Sequence, residues 1–150
     1  MRMAMTALVC LLSGQQVAAQ DLADLAGRPD ILMQRAYVDY ICVRGCQQRQ
    51  QTRTNFVSSD DFISFEEMRR ARNEVSSIEH MLTQLDPKLD LDTLWKRAAS
   101  SRESRVGTDS FSALLMLGLK SNNERCRYYL NDLEGVVGLV PHLMRADKDF

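Results

Sequence analysis

The sequence predicts an all-α fold, a small bundle of about five helices stapled by one disulfide. Three observations carry that prediction. Apolar residues recur at intervals of three and four, most clearly from Met68 to Leu85, which is the signature of a helix with one buried face. Helix starts are marked by Ser-x-x-Glu boxes and by Asp residues placed before apolar runs. No stretch alternates strongly enough to require a strand, and Cys42, Cys46 and Cys126 all fall in helical patterns.

With 150 residues the chain has room for one domain. Its first 19 residues read as a secretory leader: Arg2, a short apolar run from Thr6 to Leu12, then small residues at Ala18-Ala19 that place cleavage after Ala19. The apolar run is far shorter than the roughly 20 residues a membrane span needs, so no stable membrane insertion is expected. Residues 20–150 then form the helical domain, in the periplasm or outside the cell.

The first main helix starts near Pro29, whose missing N–H costs nothing at a helix start, and runs to about Arg49. It places Ile31, Val38, Cys42 and Gly45 on one stripe, with Ile41 and Cys46 at its edges. The rest of the chain is expected to fold against this element. Gln47 to Thr54 is a polar connection. The second helix starts at Ser59–Asp61 or at the Ser64-Phe65-Glu66-Glu67 box. It buries Met68, Ala71, Val75, Ile78, Leu82 and Leu85, and ends at Asp86 because Pro87 disfavours helical dihedrals in the residue before it. Asp90 caps a third helix, Leu91 to Ala99, which buries Leu91, Leu94, Trp95 and Ala98. Ser100 to Ser110 reads as a mobile loop. Asp109 or Ser110 caps an almost wholly apolar run, Phe111 to Lys120, expected to be the central helix. A Ser121-Asn122-Asn123-Glu124 box opens a helix that Gly135 ends or bends. Val136 to Met144 reads as a last helix, with Pro141 in its first turns or kinking it.

Cysteine arithmetic is the sharpest constraint. Cys10 leaves with the leader, and three cysteines in an oxidising compartment imply one bridge and one leftover thiol. Cys42 and Cys46 are four residues apart on one helix face, so the bridge joins Cys126 to Cys42 or to Cys46. The leftover thiol is either buried or free to pair two copies as a homodimer. The spacing Cys42-x-x-x-Cys46 resembles five residues of the cysteine pattern of small secreted odorant-carrier proteins. The further cysteines those domains carry at set intervals are absent, so the resemblance implies only a ligand-carrier alternative.

Composition excludes several classes. Basic and acidic residues nearly balance and are intermixed, which argues against nucleic acid as a partner. His80 and His142 belong to no metal or nucleophile pattern, so neither a metal nor a cofactor is expected. Glu66, Glu67, Glu74, Glu79, Asp86, Asp90 and Asp92 sit on polar faces or at helix caps. No catalytic set emerges. By elimination the chain reads as a non-enzymatic protein-binding module, an accessory or inhibitory partner of another exported protein or of a secretion apparatus. Its contact candidates are Tyr37, Tyr40, Arg44, Arg49, Phe56, Arg102, Arg105 and Tyr128, since Tyr and Arg concentrate binding energy. Two alternatives are a carrier with an enclosed apolar cavity near the Phe111 helix, and a hydrolase with two carboxylates facing across a cleft, one of them with a raised pKa.

Overall fold

A computed structural model of the chain describes residues 27–52, 63–108 and 122–148. They form five helices: α1 Pro29–Thr52, α2 Phe65–Leu85, α3 Leu91–Ser100, α4 Arg102–Thr108 and α5 Asn122–Lys148. The leader, Phe56, the Phe111 run and Ser121 lie outside the described residues. No helix among the described residues is long and apolar enough to cross a membrane.

The hub is α1, which packs against each of the other four helices. Its sequence explains why. Leu32, Met33, Ala36, Tyr37, Tyr40, Cys42, Val43 and Cys46 are all buried, and they point to more than one side of the helix rather than to a single stripe. The expected stripe is corrected accordingly. Ile31 is 41% exposed, and Val38, Ile41 and Gly45 are only partly buried. A helix enclosed by neighbours needs apolar residues on several sides, and that spreads the periodic signal.

On α2 the sequence and structure agree closely. Ser64 Oγ accepts from the Glu67 N–H at 3.1 Å, and the Glu67 carboxylate accepts from the Ser64 N–H at 2.8 Å, so the box satisfies two helix-end donors at once. Met68, Ala71, Val75, Ile78 and Leu82 are buried, and Asp86 is the C-cap. Asp90 caps α3 by accepting from the Thr93 N–H at 3.0 Å and from its hydroxyl at 2.7 Å. Leu94 and Ala98 are buried beneath it, with Leu91 and Trp95 partly so.

Two expectations change. Ser100–Ser110 is not a loop over most of its length, because α4 occupies Arg102–Thr108. Ser101 Oγ accepts from the Ser104 N–H at 3.1 Å and donates to Ala98 O at 2.8 Å, so one hydroxyl closes α3 and opens α4. Gly135 does not end its helix either: α5 runs continuously through Gly135, Gly138 and Pro141. Both glycines face open space, with nothing within 4 Å of where a Cβ would sit. The long apolar stripe of Leu130, Leu133, Val136, Val140 and Leu143, all buried, carries the helix across them.

Cys46 is the partner of Cys126, with their Cα atoms 5.7 Å apart. Cys42 is the free thiol and is fully buried, so a covalent homodimer through Cys42 is closed to the folded chain. Around the staple α1 and α5 run antiparallel: Cys46 meets Cys126, Cys42 meets Tyr129, and Arg35 and Asp39 meet Asp132. Steps of three and four residues on each helix keep these pairs in register. Pairs between Arg127 and Glu67 and between Arg70 and Glu134 tie α5 to α2.

Candidate functional site

The register of α1 against α5 places Asp39 inside the protein. It stands in an apolar stretch, Ala36 to Val43, and is 3% exposed. Burial and a hydrogen bond to Asp132 push its pKa up to about 9. Asp132 goes the other way. Burial raises it, but hydrogen bonds from Arg35 and Asp39 outweigh that and hold it below the usual carboxylate range. Arg35 grips Asp132 with two parallel bonds, Nε to Oδ2 at 2.9 Å and Nη2 to Oδ1 at 2.6 Å, the planar fork that favours Arg over Lys. The two carboxyls therefore share one proton near neutrality, with Asp39 neutral and Asp132 ionised, because like charges in contact cannot both ionise cheaply.

Asp39 and Asp132 line a cleft of about 470 Å³ between α1, α4 and α5. Helix α1 contributes Arg35, Val38 and Asp39; α4 contributes Arg102, Glu103 and Val106; α5 contributes Tyr128, Tyr129 and Asp132. Tyr128 is 44% exposed and meets Tyr129 edge to face at 5.1 Å between centroids. Asp39 Oδ2 is buried, and no N–H or hydroxyl among the described residues donates to it.

Beneath the cleft, Gly107 lets α4 approach closely. A Cβ there would lie 2.3 Å from Cys42 Sγ and 2.6 Å from the Tyr129 hydroxyl. Burial and the nearby Asp39 push the Cys42 thiol up to about 12, so it is held as an inert thiol. Arg125, fully buried, donates from Nη1 to Gly107 O at 2.8 Å and fixes the end of α4 over the pair of helices below.

A second groove of about 350 Å³ lies between α1, α2 and α3. Tyr37 and Tyr40 line it, but only 3% and 8% of their surfaces are exposed. The expectation that these two present contact surface is corrected: Trp95 covers them, edge to face with Tyr37 at 5.1 Å and tilted against Tyr40 at 6.4 Å. The Tyr37 hydroxyl donates to Glu79 at 2.7 Å, which satisfies its polar end inside the bundle.

The remaining contact candidates divide. Arg102 and Tyr128 come together at the cleft. Arg44 is exposed, with its guanidinium 5.9 Å from the Trp95 ring centre. Arg105 is exposed on α4 but does not line the cleft. Phe56 and the side chain of Arg49 lie outside the described residues. The carboxylates singled out in sequence have structural partners instead. Glu66, Glu67 and Glu74 pair with Arg69, Arg127 and Arg70, Asp92 pairs with Lys96, and Asp86 and Asp90 are caps. Sequence reasoning missed Arg35, Asp39, Tyr129 and Asp132. Asp39 alone carried a signal, a carboxylate among apolar neighbours on the best-defined helix.

Among the described residues no group of three His, Cys, Asp or Glu side chains is placed to hold a metal. No protein-family model, curated protein or solved structure matches the chain.

Proposed function

We propose that the protein is an exported binding module, an accessory or inhibitory partner of another exported protein or of a secretion apparatus, and that it engages that partner at the cleft between α1, α4 and α5. The observation that carries this reading is that half-exposed Tyr128 and exposed Arg102 line one preformed cleft. An aromatic ring and a guanidinium over a concave floor are what an interface centre requires. The Cys46–Cys126 staple supports export, because such bonds persist where thiols are oxidised. The test is capture from the exported protein fraction with wild type, Tyr128→Ala and Arg102→Glu. A partner retained by wild type and lost by both variants is the expected result. A partner held equally by all three overturns the placement at the cleft.

A second reading has a specific observation behind it. Asp39 and Asp132 are two carboxyls in one cleft with pKa values pushed apart, the arrangement that acid–base hydrolysis uses. Binding ranks above it because the pair is in direct hydrogen-bond contact and Asp39 is nearly inaccessible, which leaves an attacking water little approach. A hydrolytic activity abolished by Asp39→Asn, with no partner captured, would reverse the ranking.

A further inference from the structure

Charge is distributed unevenly over a chain that nearly balances as a whole. From Lys96 to Thr108, the end of α3 and all of α4, there are four cations and one acid. Lys96 pairs with Asp92. Arg97, Arg102 and Arg105 are exposed and pair with no acid among the described residues. Two of these stand on the α4 wall of the cleft between α1, α4 and α5. Arg102 lines the cleft, and Arg105, three residues on, lies just outside it on the same ridge of the helix. The acids around the cleft do not answer them. Asp132 is held through both oxygens by the Arg35 fork, and Asp39 is buried. Glu103 also lines the cleft, but at roughly 100° per residue the helix turns it away from Arg102, and by roughly 160° from Arg105. Beside these charges the cleft offers apolar surface: half-buried Val38 and Val106, and the half-exposed Tyr128 ring. We propose that the cleft recognises an acidic peptide segment with an apolar anchor. One aliphatic or aromatic side chain lies against Val38, Val106 and Tyr128, and carboxylates beside it in the partner's sequence pair with Arg102 and Arg105.

Charge and shape select that chemistry. A ligand that meets Arg105 as well as the lining extends past the cleft, which a segment of chain does and a small carboxylate does not. A basic segment would bring its cations against two arginines that nothing offsets. Nucleic acid and an anionic membrane call for a broad cationic face, whereas here two arginines border an apolar recess on a chain of formal charge -1. The two parts of the segment act differently. Carboxylates at the rim raise the encounter rate and exclude partners of the wrong sign, while burial of the anchor supplies most of the affinity. The occupant touches only accessible surface: nothing enters between the two buried carboxyls, and no proton or covalent bond changes.

This inference rests on the protein-binding reading and names the chemistry of the partner. The test is selection from a displayed library of random peptides on the full chain, followed by fluorescence titration of the enriched peptide. Enrichment of Asp or Glu next to an apolar residue is expected, with an affinity that falls as salt rises. Arg102→Glu and Arg105→Glu should each weaken the selected peptide by about tenfold, and Tyr128→Ala by about as much. The double reversal, used as bait in its own selection, should enrich Lys or Arg in place of Asp or Glu, a result that an unfolded variant cannot give. No enrichment over the blank, enriched peptides without acids, or a selected peptide bound equally by wild type and both single reversals overturns the proposal. Polyglutamate that competes as well as the selected peptide marks a generic polyanion surface and overturns it too. A partner captured from the exported fraction and lost in Arg102→Glu and Tyr128→Ala, but cross-linked to the cleft through a segment without acids, sinks this inference alone. A partner held equally by every variant sinks the reading beneath it.

Discussion

Asp39 sets the pH behaviour of the folded chain. Its folded pKa of about 9 lies above that of an unfolded aspartate, so the folded state binds the proton more tightly. The contribution is fully present below the unfolded value, near pH 4, and is lost as pH rises through the folded one. Asp132, held low by Arg35, behaves oppositely and loses its contribution only in acid. Asp39→Asn keeps an acceptor and supplies an N–H for Asp132 without a titrating proton. It should stabilise the protein near pH 8 by on the order of 1–3 kcal/mol, with the gain shrinking toward pH 4. Urea unfolding at the two pH values checks this, and an equal difference at both would contradict it. Gly107 is the second residue with a sharp consequence. Ala there would press on Cys42 and Tyr129 from well inside contact distance, and overpacking of that kind costs about 2–3 kcal/mol. A thermal melt of Gly107→Ala reads it.

At the scale of the element, α5 is where sequence and structure part. The helix was legible up to Glu134, and again from Val136, but Gly135 reads as a terminator when its surroundings are unknown. Glycine weakens a helix by lacking a side chain, and what decides the outcome is the tertiary packing of the residues around it. Here Leu133, Val136 and Val140 are buried on both sides of the glycines. Because a Cβ at Gly135 or Gly138 meets open space, Gly135→Ala and Gly138→Ala should each stabilise by about 0.5–1 kcal/mol. A loss of stability in either variant would show that the helix is interrupted there. The reverse error befell α4. Its serines and Gly107 read as loop, yet Ser101 is a working cap and Gly107 is a packing residue. By contrast the Ser64 and Asp90 caps and the α2 stripe were legible because local chemistry alone determines them.

Across the whole molecule, the fold class and one half of the staple were readable, but the cleft was not. Its residues come from three helices, and Arg35 and Asp132 lie 97 positions apart, a separation over which no local pattern speaks. Only the choice of Cys46 over Cys42 sets the alignment of α1 on α5 that brings Asp39 to Asp132. Closing a loop across 80 positions removes unfolded-state entropy worth about 4 kcal/mol, so Cys46→Ser should lower stability by about 2–4 kcal/mol in denaturant titration. Cys42→Ala should leave the staple intact. A bridge from Cys42 instead would slide α5 by four residues of α1, about 6 Å, and part the two carboxyls. Peptide mapping of the unreduced protein, alkylated first in the folded state and again after unfolding, decides between them. The account requires a Cys46–Cys126 cross-link and a Cys42 that is labelled only once the chain unfolds; a Cys42–Cys126 cross-link, or a Cys42 that reacts readily in the folded protein, would contradict it.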